Sequence, residues 1–307
     1  MELTRLGAYS LAEIEQSLRG DGLSLQVANF RCLIQSDTGL LSTPLHLLYR
    51  HYVGSMTPDG FYDFRVTLNR KRVAPWKPNE VEFGWEGHSP FPPLPLAQTH
   101  PLFEWGLNWC IATLSGAHAV VHSAVVERDG GALVLPGDPG AGKSTLCAAL
   151  ALSDWRLLSD ELTIVAHASG LVQPMPRPIS LKSKSIDIVR AGFARAELTL
   201  PVHDTHKGSI AYVRPADEAV DGWTRPVPIR YVIFPRFAAN SEFTVETVSR
   251  AQALAELMSH TFNVGLLGQQ GFTSLANALA GAECYAVEYP DLASITSWIH
   301  STCRHPA

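Results

Sequence analysis

Nine residues constrain this chain more than any other stretch: Gly137-Asp138-Pro139-Gly140-Ala141-Gly142-Lys143-Ser144-Thr145. They satisfy G-x-x-x-x-G-K-[ST] in full. Glycines at that spacing let backbone N–H groups curl inward, in conformations that a Cβ would forbid. An ammonium follows at Lys143 and a hydroxyl at Ser144. The apolar run ALVLP precedes the loop and TLCAALAL follows it, which predicts strand, loop and helix in that order. Such a helix aims the positive end of its dipole back at the loop. The arrangement suits a polyphosphate: N–H groups around its oxygens, Lys143 on the β and γ phosphates, Ser144 on Mg²⁺. ATP with Mg²⁺ is the expected ligand, and a glycine turn without one is the bland alternative.

Around the loop the pattern is α/β. Strands are predicted at AVVHSAVVE and ALVLP, joined by a hairpin turn at Arg128–Gly131, and at Leu162–Ala166, Ser209–Val213, Tyr231–Phe234, Phe243–Val248 and Cys284–Tyr289. Helices are predicted at 143–152, Ala251–Ser259, Gly265–Ala280 and Asp291–Ser301. Residues 1–92 read as a separate α+β domain, with a helix near Leu11–Leu18, strand-like runs at Leu23–Gln35, Tyr62–Asn69 and Glu80–Trp85, and a helix at Pro44–Tyr52. Four prolines in Ser89–Pro95 predict a joint there, so the second domain is 93–307. It opens with a helix over 96–115, whose aromatics Phe103, Trp105 and Trp109 read as a packed face rather than a binding cage.

The run WRLLSDELTIV carries adjacent acids, Asp160 and Glu161. Phosphoryl transfer asks a protein for charge neutralisation and an oriented acceptor oxygen. One carboxylate can hold Mg²⁺ with Ser144, while the other takes a proton from a hydroxyl acceptor. An acidic turn between strands is the competing reading. His122, inside the strand before the loop, reads by itself as a core histidine.

Composition narrows the partners. The net charge of −5 argues against a nonspecific nucleic-acid binder. No apolar run reaches the length of a membrane span, so membrane insertion is not expected. The N-terminal segment has no apolar core of the signal-peptide type, and a cytoplasmic location is the expectation. Five scattered cysteines without a C-x-x-C pair read as buried free thiols.

The segment VVHSAVVERDGGALVLPGDPGAGKST…LLSDEL resembles the catalytic core of the HPr kinase/phosphorylase family. Those proteins place a histidine on the strand before the loop and paired acids after it. Here His122 precedes Gly137 by 15 positions and Asp160 follows it by 23. The chain is most similar to the subgroup of HPr-kinase-related kinases A, through PLPLAQTHPLFEWGLNWCIA, RPISLKSKSIDIVR, HDTHKGSIAYVRP and VIFPRF. The resemblance implies an α/β fold with a P-loop core of the HPr kinase and phosphoenolpyruvate carboxykinase type. It implies an ATP-dependent serine kinase, a role for His122, and possible homo-oligomers. The parent family pairs two aspartates; here the second acid is Glu161. Asp160 is then the expected base, with Glu161 near the metal.

Arg177, Lys182, Lys207, Arg214 and Arg236 are candidates for the further cations that offset charge in flight. A zinc site at His203 and His206 is disfavoured, because Gly208 and the strand after it predict a turn. Two other classes stay open: a nucleotide-dependent interaction protein with little or no transferase activity, and a hydrolase doing mechanical work. For a kinase, the acceptor is a peptide or protein serine, or else a small-molecule hydroxyl.

Overall fold

The computed structural model describes residues 4–71, 79–116 and 118–303. It is a mixed α/β protein that divides into two compact units, Met1–Ile111 with Glu197–Arg214, and Ala112–Ala196 with Pro215–Ala307.

The first unit holds β1 (Thr4–Arg5), α1 (Leu11–Arg19), β2 (Leu23–Val27), β3 (Phe30–Ser36), α2 (Ser42–Tyr49), β4 (Val53–Ser55), β5 (Phe64–Lys71), β6 (Glu80–Trp85) and β7 (Leu94–Pro95). These strands form one sheet in the order β1-β4-β2-β3-β5-β6-β7. A capping box between Ser10 and Glu13 starts α1. Phe64, Val66 and Leu68 alternate inward along β5, as the FRVTL pattern predicts. The run expected as one strand over Leu23–Gln35 is a hairpin: Val27 faces Phe30, and Ala28 takes φ 49° in the turn. Asn29 is the one turn residue at that point, and with neither Gly nor Pro beside it the signal is weak.

Helix α3 (Thr99–Leu114) follows the proline-rich segment. Its first turns belong to the first unit, so Ser89–Pro95 lies inside that unit rather than between the two. The reason is packing. Glu104, 2% exposed, accepts from the Tyr49 hydroxyl at 2.9 and 3.0 Å and lies 3.1 Å from His100 Nε2. The Trp109 ring stands edge-on to Trp85 and Phe91, at 5.0 and 5.7 Å. A Cβ at Gly106 would overlap the Phe83 ring. Gly106→Ala should therefore destabilise the protein by about 1–3 kcal/mol, read by denaturant unfolding of the two forms.

The second unit is built on a larger sheet. It contains β8 (His118–Arg128), β9 (Gly131–Pro136), α4 (Lys143–Ala151), β10 (Arg156–Ser159), β11 (Leu162–Ala166), β12 (Val172–Gln173), β13 (Ile179–Lys182) and α5 (Lys184–Gly192). Residues 197–214 then return to the first unit as the hairpin β14 (Val202–Thr205) and β15 (Gly208–Val213). The second unit ends with α6 (Asp217–Asp221), β16 (Ile229–Phe237), β17 (Thr244–Thr247), α7 (Arg250–Ser259), α8 (Val264–Ala278), β18 (Glu283–Tyr289) and α9 (Leu292–Thr302). The sheet runs β12-β11-β8-β9-β16-β18-β17, with β10 also on β8. Asp129 and Gly130, both at positive φ, form the two-residue turn between β8 and β9 that RDGG predicts.

One sheet face is covered by α7 and α8. Ala119, Val121, Val125, Ala132, Val134 and Val232 pack there with Ala253, Leu257, Leu267 and Leu275. By strand alternation His122 and Ala124 point to the other face, where α4 crosses β8. All five cysteines are buried free thiols, as expected. Among the described residues no helix is long and apolar enough to cross a membrane.

Candidate functional site

The site is built where β9 ends. Pro136 pairs with Ser123 of β8, and the chain then leaves the sheet as the loop Gly137–Gly142 before α4 starts at Lys143. Gly137, Gly140 and Gly142 have φ of 137°, 94° and 91°. Gly142 is the decisive one: it is left-handed (ψ 6°), and a Cβ there would overlap the Tyr289 hydroxyl. The Lys143 ammonium folds over the loop and donates to the Gly137 and Asp138 carbonyls. Burial and the nearby Lys182 lower its pKa, while Asp160, Asp138 and Glu161 act the other way.

The acidic pair comes from a different place than a plain parallel sheet would provide. In such a sheet the strand that carries the acids would neighbour the loop strand. Instead β8 intervenes, pairing with β9 on one edge and with β10 and then β11 on the other. The hairpin between β8 and β9 is the cause: it sets β8 beside the loop strand. A bulge near Leu158 interrupts β10, and Asp160 and Glu161 fall between Ser159, opposite Val125, and Leu162, opposite His122. This level of the sheet is also where β9 gives way to the loop. Two strand spacings, about 10 Å, separate the acidic turn from β9.

Asp160 is 5% exposed. Its Oδ2 accepts from the Ser180 N–H at 2.9 Å, and its Oδ1 is buried without a hydrogen-bond partner. Burial, then Glu161, raise its pKa to about 7; the Ser180 N–H, the Ser144 hydroxyl and Lys182 pull against them. A carboxyl of this kind is a base matched to neutral pH. Lys143 feels the charges of Lys182, Asp160 and Glu161, and Asp160 those of Glu161 and Lys182, so the four share one electrostatic environment. Ser144, Glu161 and Asp160 supply hard oxygen donors suited to magnesium, and an orphaned buried oxygen on Asp160 fits a group that binds there. No group of three or more His, Cys, Asp or Glu side chains that could hold a metal ion occurs among the described residues. A magnesium ion carried on phosphates needs only one or two carboxylates.

His122 lies on the α4 face, opposite Leu162. Its backbone N–H donates to the His260 carbonyl at 2.8 Å, and its ring stands edge-on to Phe262 at 5.5 Å. Residues 260–262 bridge to β8 along the edge that β9 leaves at Pro136. Phe262, 58% exposed, therefore stands beside His122 on the β8 edge opposite the one that carries the acids.

The five basic candidates separate. Arg177 is buried (5% exposed) on the segment that runs from Met175, bonded to Leu158, to Ser180, bonded to Asp160. Lys182 ends β13 and is felt by both Lys143 and Asp160. Arg236 pairs with Glu288 at 3.2 Å. It lies on the strand face of Val232 and Phe234, which pack with α7 and α8, and so points away from the α4 face. Lys207 and Arg214 belong to the first unit. There Lys207 lies 5.2 Å over the Trp105 ring, and Arg214 shares Glu197 with Arg50, each at 2.6 Å. His203 bonds Ser209 at 2.8 Å and His206 packs on Trp105, in the turn that disfavoured a zinc site.

Sequence reasoning missed the neighbours that shape the loop. Thr145 bonds Ser185 of α5 at 2.6 Å, just after Ser183 turns the chain at φ 49°, ψ −121°, a rare conformation for serine. Tyr289 donates to the Ala141 carbonyl at 3.3 Å, and Phe237 packs beside it with ring centroids 5.7 Å apart. No residue spacing links positions 237 and 289 to 142; only the parallel pairing of β16 with β18 does.

No protein-family model matches the chain, and no curated protein matches it.

Proposed function

We propose that this protein is an ATP-dependent kinase with a P-loop core of the HPr kinase type, transferring the γ-phosphoryl group of ATP to a hydroxyl. A peptide or protein serine is the leading acceptor, and a small-molecule hydroxyl the alternative. The observation that carries the reading is Asp160: a buried carboxyl that accepts from the Ser180 N–H, with its other oxygen buried and unpartnered, within electrostatic reach of the loop lysine.

The step follows from these groups. The acceptor O–H gives its proton to the Asp160 carboxylate as its oxygen forms a bond to the γ-phosphorus. The bond from that phosphorus to the β,γ-bridging oxygen breaks, and ADP leaves with the electron pair. Lys143 and Lys182 offset the charge that develops, and loop N–H groups hold the β-phosphate in line. Ser144 and Glu161 are the residues that would hold magnesium, whose charge neutralises phosphate oxygens when it is bound. His122, on the same sheet face as the loop helix, borders the acceptor side.

The test is incubation of the full chain with γ-labelled ATP, Mg²⁺ and a proteome extract. Label should appear on a protein or a metabolite, and Lys143→Ala should reduce it by about a hundredfold or more. ATP binding without label on any product would overturn the kinase reading in favour of a nucleotide-dependent interaction protein.

A further inference from the structure

The acidic turn gives the loop a direction. Asp160 and Glu161 lie on the β8 side of β9, and β16 lies on the other. A triphosphate with its γ end at the carboxylates must run toward β16, and the nucleoside leaves the loop there. This step rests on the reading of the loop as a triphosphate site. The C-terminal end of β16, a strand parallel to β9, forms the rim. Arg236 leaves on the α7–α8 face, so the side chain presented on the loop face is Phe237.

Phe237 is 49% exposed although it is a large apolar ring. Its Cβ lies 3.5 Å from where a Cβ of Gly142 would be. Tyr289, 3% exposed, backs it, and the Ala238 N–H donates to the Tyr289 carbonyl at 3.1 Å, fixing the chain just after it. A rigidly seated aromatic, half open to solvent and touching the phosphate loop, is a stacking platform. Every base offers a π-face to such a ring, so it would hold the base without selecting it by hydrogen bonds. Phe262, another exposed aromatic, stands against His122 of β8 rather than on β16.

We infer that Phe237 is a nucleotide-binding residue: the purine of ATP stacks on its ring, against the P-loop at Gly142. Calorimetric titration of the full chain with ATP and with inorganic tripolyphosphate tests it. Phe237→Ala should weaken ATP binding roughly five- to 150-fold while leaving tripolyphosphate affinity unchanged. Phe237→Trp should retain ATP affinity. The inference is overturned if Phe237→Ala binds ATP like the parent, or loses both ligands equally. It is also overturned if Phe262→Ala, rather than Phe237→Ala, weakens ATP, because the base then lies against β8 and not on β16. A parent protein that binds tripolyphosphate as tightly as ATP removes this inference alone. One that binds neither removes the loop reading as well.

Discussion

Asp160→Asn should lose phosphoryl transfer by about two to four orders of magnitude and yet make a more stable protein at neutral pH. The loss follows from removing the proton acceptor while keeping the shape. The gain follows from linkage. Asp160 has a folded pKa of about 7 against 3.8 for an unperturbed aspartate. Between those values the folded state holds a proton that the unfolded state has released, so this group's contribution to stability falls as pH rises from about 4 to 7, and is constant above. Asparagine carries no such penalty. The stability difference between Asp160→Asn and the parent should therefore widen over that window, reaching roughly 2–4 kcal/mol. Transfer by the parent should rise with pH through about 7, as the carboxyl ionises. Denaturant unfolding at pH 5 and pH 8, with labelled-ATP turnover at the same pH values, checks both halves. Transfer undiminished in Asp160→Asn would remove the base assignment.

Gly142→Ala should lose triphosphate binding at least tenfold and cost several kcal/mol of stability. Two separate effects add. A β-carbon at φ 91° is strained by about 1–2 kcal/mol, and this one also overlaps the Tyr289 hydroxyl. They can be told apart. In Gly142→Ala with Tyr289→Phe the overlapping oxygen is gone, and the next atom, the ring Cζ, is at 3.4 Å. The double variant should therefore be more stable than Gly142→Ala alone, even though Tyr289→Phe by itself removes a hydrogen bond to Ala141. Strict additivity of the two changes in thermal unfolding would show that the hydroxyl does not confine the loop.

Much of the local structure was legible in the residues. The strand, glycine loop and helix from Ala132 to Ala151, the RDGG turn and the alternation of β5 are each governed by neighbours in sequence. Steric limits on φ and the period of a strand act over a few residues, so a few residues reveal them. Other features were not legible. The hairpin inside Leu23–Gln35 is marked only by Asn29. The placement of α3 with the first unit depends on Glu104 meeting Tyr49, 55 positions away. Proline content in Ser89–Pro95 reads as a domain joint, but proline sets the backbone course, which is local, and not the packing that divides the chain, which is not.

The glycine loop itself was a property of the sequence: glycines where φ must be positive, a lysine and a hydroxyl at fixed offsets, a helix behind them. What surrounds it was decided by tertiary structure. That β8 stands between the loop and the acids, that Asp160 is buried deeply enough to titrate near 7, that Arg236 leaves on the far face, and that Phe237 and Tyr289 close on Gly142 all depend on which strands pair. Strand pairing joins residues that are distant in the chain, and burial is a sum over all of them, so neither can be read from any short stretch.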